Sequence, residues 1–402
     1  MPTPPILDVF VVWHPDDPTG EQRFTELLTH FHGPAFSGLV GGAVEVYARS
    51  APWGDSDAPR PFGIKEPLVE GLPRAQFNAI VPVLSVEMAR AAQDTGWDQF
   101  VDSIRGLADD DRVGIFSIPG DGVDLGSGSL SQALGPFQTL DEGVRHDPVL
   151  LGRELDQAIA QHVRGRSGDA PRLTVFVSHA KHRSLAEMDD DAPYIYDSVR
   201  SRIADSRLAE FFDASDIQTG TDWAEALEQN ASNHALLIVR TDRYAEREWT
   251  KREVKAAKQA GAPVVSMYAL RSGEERGSFL MDHVPTVVCN LDERDSGIDS
   301  ALASLVSEAL KSALWEAQSA YLKEDGFDWL PTRSPEPTTL AAWLSEHRET
   351  HPDDQHLWIM HPDPPLGEAE RDVLTQLCEL AGFNADVNIY TPRTFAARGG
   401  AS

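Results

Sequence analysis

The chain has 402 residues and a formal net charge of −29 at pH 7, with 41% apolar and 25% charged residues. This length predicts two or three soluble globular domains, and the acidity excludes both an electrostatic nucleic-acid binder and docking on anionic lipid. Two cysteines offer neither a disulfide framework nor a cysteine-rich metal site, and the lack of a basic leader or of about 18 consecutive apolar residues predicts a cytoplasmic protein.

Residues 1–165 predict a first domain in which strands and helices alternate. The predicted strands are 6–13, 44–47, 79–84 and 113–118, and the predicted helices are 20–31, 97–107 and 147–163. Residues 51–73 are rich in Pro, Gly and Asp and predict a loop. Pro82 places the third strand near a sheet edge or a bulge. The alternation predicts a parallel, doubly wound sheet.

Residues 172–322 predict a second domain after a linker of Gly, Ser, Asp and Pro. Its predicted strands are 173–179, 209–212, 235–239, 263–267 and 284–290, and its predicted helices begin near 195, 223, 249 and 296. Asp222 is a plausible N-cap for the helix that Trp223 opens. Residues 323–355 are interpreted as a linker with a short helix near 339–349, and 356–402 as a partial third unit.

An internal repeat connects these regions. Three apolar strands end in His14, His179 and His361, and the interval from His14 to Tyr47 equals that from His179 to Phe212. We interpret the chain as three related units in tandem, the last incomplete. The alternative is that all strand–helix–strand units look alike.

Four motifs of the second domain occur in a defined order. A strand ends in Ser178-His179, a Phe-Phe-Asp strand enters the loop Asp216–Gly220, Trp223 opens a helix, and a further helix carries Trp249-x-x-x-Glu253. In this order the motifs resemble a TIR domain over roughly 172–320, somewhat more than a third of the chain. The resemblance implies tandem flavodoxin-like (TIR-like) doubly wound parallel sheets, an α/β fold.

The resemblance also implies an activity, because many bacterial proteins of this family cleave NAD+ and act in defence against phage. NAD+ would be the substrate, with no other cofactor and no metal, and self-association through TIR domains would activate the enzyme. No nucleic-acid or membrane partner is expected. Nicotinamide leaves NAD+ as a neutral molecule, so catalysis needs a carboxylate that stabilises the cationic ribose. Glu253 matches the family's catalytic Glu; the alternative is a surface residue paired with Lys251, Arg252 or Lys255.

Seven residues are candidates for contact with the substrate, each with a structural alternative. They are Ser178, His179, Phe212, Asp213, Gly220, Trp223 and Trp249. Trp249 would stack on a nucleotide ring or cover the core, and Trp223 would line the pocket or pack at its helix start. His179 would contact phosphate or ribose, or serve as a structural turn residue of the repeat. Asp213 would bind substrate, form an Asx-turn or contact another subunit.

The first domain departs from this pattern. If Trp97 aligns with Trp249, the position of Glu253 holds Val101, which carries no charge and donates no hydrogen bond. This domain is therefore predicted to be catalytically inactive. Two other functions stay open for the whole chain, a non-catalytic TIR scaffold and a receptor for a nucleotide signal. Whether the product of an active enzyme is linear or cyclic ADP-ribose also stays open.

Overall fold

The chain forms two compact units in its computed structural model. The residues described are 6–33, 35–36, 44–62, 75–123, 128–137, 139–165, 172–188, 193–208, 234–246, 248–273, 279–281, 284–324, 335–352, 356–362, 365–384 and 386–397. The first unit comprises 1–170 with 362–364 and 391–402, and the second comprises 171–361 with 365–390. Among the described residues, no helix is both long enough and apolar enough to cross a bilayer.

The first unit contains a four-stranded parallel sheet in the order β2-β1-β3-β4. Its strands are β1 (Leu7–Val12), β2 (Val44–Arg49), β3 (Phe77–Pro82) and β4 (Val113–Ile115). Its helices are α1 (Pro18–Phe31), α2 (Val86–Ala91), α3 (Thr95–Arg105), α4 (Ser129–Leu134) and α5 (Pro148–Arg164). The α/β class with parallel strands is confirmed.

Local chemistry sets the start of the first crossover. The carboxylate of Asp17 accepts the backbone N–H of Thr19 at 2.9 Å and caps α1, and Pro18 supplies a φ angle suited to the first helical turn. Gly20 lies so close to the ring of Trp13 that a Cβ atom there would collide with it. This close approach packs α1 directly against the end of β1.

The expectation for Pro82 was wrong, because β3 lies between β1 and β4 rather than at an edge. Pro82 is the last residue of β3, where a missing N–H interrupts little of the ladder. Its carbonyl accepts the N–H of Ile118 at 2.8 Å, and the N–H of Val83 donates to the carbonyl of Val12 at 2.8 Å. Hydrogen bonding therefore resumes one residue after the proline.

The second unit contains another four-stranded parallel sheet, in the order β5-β6-β7-β8. Its strands are β5 (Thr174–His179), β6 (His234–Arg240), β7 (Val264–Tyr268) and β8 (Thr286–Val288). Its helices are α6 (Leu185–Met188), α7 (Ile195–Ala204), α8 (Glu248–Ala260) and α9 (Arg294–Glu324). Helices α7 and α9 share one apolar core with the sheet, and α8 shares another. The predicted strand at 209–212, the loop 213–222 and the helix at Trp223 lie outside the described residues.

A two-stranded parallel sheet follows within the second unit. It pairs β9 (His356–Met360) with β10 (Asp386–Tyr390), and its helices are α10 (Pro337–Thr350) and α11 (Glu368–Leu380). A last helix, α12 (Pro392–Ala397), belongs to the first unit. Helix α10, inside the predicted linker, contributes Leu340 and Leu344 to the core of this small sheet. It also contacts α8, the helix that carries Glu253.

Candidate active site

Three buried polar side chains form a hydrogen-bonded chain in the second unit. The Ser178 hydroxyl donates to Oε2 of Glu253, and the oxygens of Ser178 and Tyr244 lie 2.6 Å apart. The exposed fractions are 2% for Ser178, 6% for Glu253 and 0% for Tyr244. Because Ser178 gives its one proton to the carboxylate, Tyr244 must donate to Ser178. The three groups therefore form a chain of donors that ends at Glu253.

Strand alternation brings Ser178 to this position. Successive side chains of a strand point to opposite faces, so Phe176 and Ser178 share a face, and Val175 and Val177 share the other. Phe176 packs in the apolar cluster that contains Val254 of α8. Ser178, next to last in β5, therefore meets α8 at the carboxyl end of the strand, where open α/β sheets bind their ligands.

The turn between β6 and α8 positions the other two groups. Thr250, in the first turn of α8, donates its hydroxyl to the backbone carbonyl of Tyr244 at 3.1 Å. This bond fixes the turn against the helix start. Glu253 lies just before Val254, which is fully buried, so this stretch of α8 faces the sheet. The alternative of a surface Glu paired with neighbouring cations does not fit this burial.

The electrostatics of this hydrogen-bonded chain of side chains follow from its burial. Burial raises the pKa of Tyr244, the hydrogen bond with Ser178 lowers it by a smaller amount, and the nearby Glu253 carboxylate raises it again by less still. Tyr244 therefore keeps its proton and remains a donor. The hydrogen bond from Ser178, itself held by Tyr244, therefore fixes the position and orientation of the negatively charged carboxylate.

His179 lies on the other face of the sheet from Ser178. Its ring stacks on Tyr196 of α7, with centroids 3.8 Å apart and planes at 16°, and meets Tyr194 edge-on at 6.3 Å. The sequence placed Ser178 and His179 together near one substrate. The structure brings Ser178 to Glu253 and His179 to α7, because adjacent strand residues diverge.

The other predicted substrate contacts lie beyond what the structure describes. The first turn of α8 contains Trp249, but its side chain is outside the described set, as are Phe212, Asp213, Gly220 and Trp223. Sequence reasoning missed Tyr244. The available signal was an aromatic residue in an otherwise polar turn directly after a buried strand, Thr241 to Tyr244.

The first unit places apolar residues where the second has this polar chain. Helix α3 follows the central strand β3 as α8 follows β6, and its Val101 is 2% exposed in one cluster with Val12 of β1. His14 contacts Trp97 of α3 with ring centroids 4.9 Å apart, whereas His179 contacts the other face of its own sheet. The histidines that defined the sequence repeat therefore occupy different faces in the two units.

Comparison with protein-family models and with curated proteins finds no match to this chain. The resemblance to TIR domains therefore rests on the ordered motifs of the second unit alone.

Proposed function

We propose that the second unit is a TIR-type NAD+ glycohydrolase or ADP-ribosyl cyclase, which cleaves the bond between nicotinamide and ribose. The observation that carries this proposal is the buried Glu253 carboxylate held by Ser178 and, through it, Tyr244 at the carboxyl end of the sheet. Glu253 is the catalytic residue of the proposal. Ser178 and Tyr244 act as positioning residues that orient its carboxylate.

Energetics favour a chemical role for this carboxylate. Removing an ion from water costs several kcal/mol even after the surroundings relax, and a few hydrogen bonds repay that cost only in part. The first unit builds the same kind of sheet and helix with Val101 and Val12 instead. Since a sheet and helix of this kind form without an acid there, the buried charge of Glu253 supports a chemical role.

The proposed reaction needs one anionic group beside the ribose. As the bond from ribose to nicotinamide breaks, the electron pair leaves with the neutral base and positive charge develops on the ribose. The Glu253 carboxylate stabilises that charge, and the closed environment strengthens the attraction. Water, or a nucleophilic nitrogen of the same molecule, then bonds to the ribose carbon and a proton is released to solvent, giving the linear or the cyclic product respectively.

The family resemblance extends the proposal to its setting. Self-association through TIR domains would switch the enzyme on, and the reaction would serve defence against phage in the cytoplasm. NAD+ is the substrate, and no further cofactor is invoked.

A second candidate is a non-catalytic scaffold, and one observation favours it. Glu253 is only 6% exposed and already accepts a hydrogen bond from Ser178. Such a group can serve to specify how α8 docks on the sheet, without meeting a substrate.

Incubation of the purified chain with NAD+ distinguishes the two candidates. Chromatography would measure nicotinamide, ADP-ribose and cyclic ADP-ribose over a range of protein concentrations. The enzyme proposal predicts nicotinamide release that rises more steeply than protein concentration, because assembly activates it. No nicotinamide at any concentration would leave the scaffold as the function.

A further inference from the structure

A cationic side chain without a carboxylate partner lies at the edge of the first sheet. The guanidinium of Arg49 packs on two aromatic rings, 5.6 Å from the centroid of Phe10 and 5.1 Å from that of Phe62. In the described part of the chain, the side chain of Arg49 forms no hydrogen bond or ion pair, although it is half-buried and carries five N–H donors. The aromatic contacts hold the cation in place and leave its donors available to a ligand.

The fold brings Arg49 to the side of the sheet where ligands bind. Arg49 is the last residue of β2, and its carbonyl accepts the N–H of Trp13, just after β1, at 3.4 Å. Open α/β sheets bind their ligands at these carboxyl ends. Strand alternation places Arg49 and Tyr47 on one face, and Tyr47 stacks on Phe10 of β1 with centroids 5.2 Å apart. This is the face that α3 covers, because Phe10 shares a core cluster with α3.

The surroundings of Arg49 disfavour its charge. Burial lowers the pKa of Arg49, and the positive charge of Arg60 lowers it further. The ordinary pKa of an arginine is so high that Arg49 nevertheless stays charged. An anion bound to Arg49 would offset both unfavourable effects.

The carboxylates on the neighbouring elements do not neutralise this cation. They are Asp8, Asp16, Asp17, Glu45, Asp55 and Asp57. Asp17 caps α1, and Glu45 lies opposite Asp8 in the pairing of β1 with β2. The other three are exposed to solvent. Among the described residues, none of the six forms an ion pair with Arg49 or raises its pKa.

An exposed aromatic side chain lies beside this cation. Trp53 is 55% exposed, and the guanidinium of Arg60, which acts on Arg49, lies 5.1 Å from the centroid of its ring. The loop is ordered by two backbone bonds, from Trp53 to the carbonyl of Ala58 at 3.0 Å and from Ser56 to the carbonyl of Trp53 at 3.1 Å. An ordered loop loses little entropy when a ligand binds to it. Trp53 therefore offers a preformed surface for an apolar ring.

We infer that this edge of the first sheet binds a small aromatic carboxylate, which pairs with Arg49 and packs its ring on Trp53. The planar guanidinium matches a carboxylate through two parallel hydrogen bonds. One arginine offsets one negative charge, and the chain around it carries a net charge of −29. A monoanion is therefore favoured over a phosphate group, which carries a charge of about −1.5 to −2 at neutral pH.

Isothermal titration calorimetry on the purified chain tests this inference with four probes. Benzoate carries both the ring and the carboxylate, acetate only the carboxylate, benzyl alcohol only the ring, and phenyl phosphate the ring with a larger charge. Benzoate should bind saturably and more tightly than acetate or phenyl phosphate, and benzyl alcohol should not bind.

Variants of Arg49 test the contact with the anion. Arg49→Gln removes the charged donors and should weaken benzoate by about tenfold or more. Arg49→Lys keeps the charge but loses the planar pair of donors, so its affinity should lie between those of Arg49→Gln and the wild type. The matched control is Arg105→Gln at the end of α3, where the arginine is exposed, and it should bind within about twofold of wild type.

Variants of Trp53 test the contact with the ring. Trp53→Ala should weaken benzoate by about threefold or more, whereas Trp53→Phe keeps an aromatic surface and should bind more tightly than Trp53→Ala. Because Trp53 is exposed, neither change disturbs the core. Glu253→Gln, in the second unit, should keep wild-type affinity for benzoate, so failure of the NAD+ proposal does not decide this one.

Four results would overturn the inference. They are no saturable binding of benzoate to the wild-type chain, equal affinities of Arg49→Gln and Arg105→Gln, wild-type affinity in Trp53→Ala, and tighter binding of phenyl phosphate than of benzoate.

Discussion

Helices α3 and α8 occupy equivalent places in two sheets, and they differ where chemistry is expected. In the first unit Val101 and Val12 belong to one apolar cluster. In the second unit Ser178 donates to Glu253. The comparison shows that a helix can pack on a parallel sheet of this kind without a buried acid, since Val101 and Val12 supply only apolar surface in the first unit. It also explains why the first unit is expected to lack NAD+ cleavage.

The largest effect on stability is expected from placing a buried glutamate in the first unit. Val101→Glu would bury a carboxylate among apolar side chains with no donor chain, and we expect a loss of about 3–5 kcal/mol in the stability of the first unit. Amide hydrogen exchange of β1 and β3 would measure it locally. Val101→Ile is the matched control, and it should change stability by less than about 1.5 kcal/mol.

A second substitution can supply a hydrogen-bond donor for that glutamate. Adding Val12→Ser supplies a hydroxyl like that of Ser178, so the double variant should be more stable than the sum of the two single losses predicts. If Val101→Glu costs less than about 1 kcal/mol, the apolar character of the first site is not what distinguishes the two units.

A pH response is the next largest effect, and it belongs to the first unit. Burial first, and then the neighbouring Glu45 of β2, raise the pKa of Asp8 to about 7. An unfolded Asp releases its proton near 3.9. Between these values Asp8 holds a proton in the folded state but not in the unfolded state, so its contribution to stability is fully present below about pH 4 and is lost as pH rises to about 7, by up to about 4 kcal/mol.

Asp8→Asn removes this titration. Amide hydrogen exchange of β1 should show that the stability of Asp8→Asn relative to the wild type increases between pH 5 and pH 8. Strand β5, which begins with the uncharged Thr174, should exchange equally in the two proteins. Parallel stability curves for β1 in the two proteins would contradict the assignment to Asp8.

Replacing Ser178 by valine, the residue type found in the first unit, should have an intermediate effect on stability. Ser178→Val removes a donor from Glu253 and a partner from Tyr244, and we expect a loss of about 1–3 kcal/mol. The double variant Ser178→Val with Glu253→Val should lose less than the two single changes added together, because it removes both partners. Additive losses in urea unfolding would show that the pair is not coupled.

The smallest effect is expected on the other face of the second sheet. His179→Ala removes a ring stacked on Tyr196 and should cost about 1 kcal/mol. Because His179 points away from Glu253, NAD+ cleavage by this variant should stay within about threefold of the wild type. A loss of a hundredfold would instead place His179 at the substrate.

The sequence predicted the alternating elements well because buried parallel strands are short apolar runs, as at Val9–Val12 and Leu236–Val239. It misjudged Pro82, because a proline is also tolerated at the last residue of a central strand. The linker expected at 323–355 contains α10, whose Leu340 and Leu344 are buried. Helical periodicity there was too short to show which sheet it would cover.

The site was only partly predictable for a related reason. A helix motif identified Glu253, but nothing local to the sequence shows that Tyr244 reaches Ser178, which lies 66 residues away. The sequence Ser178-His179 also does not show which of the two residues faces α8 and which faces α7, because that depends on how the helices pack on the sheet. The sequence therefore predicts the acid, while the donor chain that orients it depends on tertiary packing.

The most direct test compares two glutamates of α8. Glu253→Gln keeps the size of the side chain and an oxygen that can accept from Ser178, and it removes the charge. Glu248→Gln removes the same charge from the first turn, where the side chain is 73% exposed. With the purified chain and NAD+, we predict nicotinamide release slowed by about 10²–10³-fold in Glu253→Gln and changed less than about twofold in Glu248→Gln. Wild-type turnover by Glu253→Gln would contradict the assignment of Glu253.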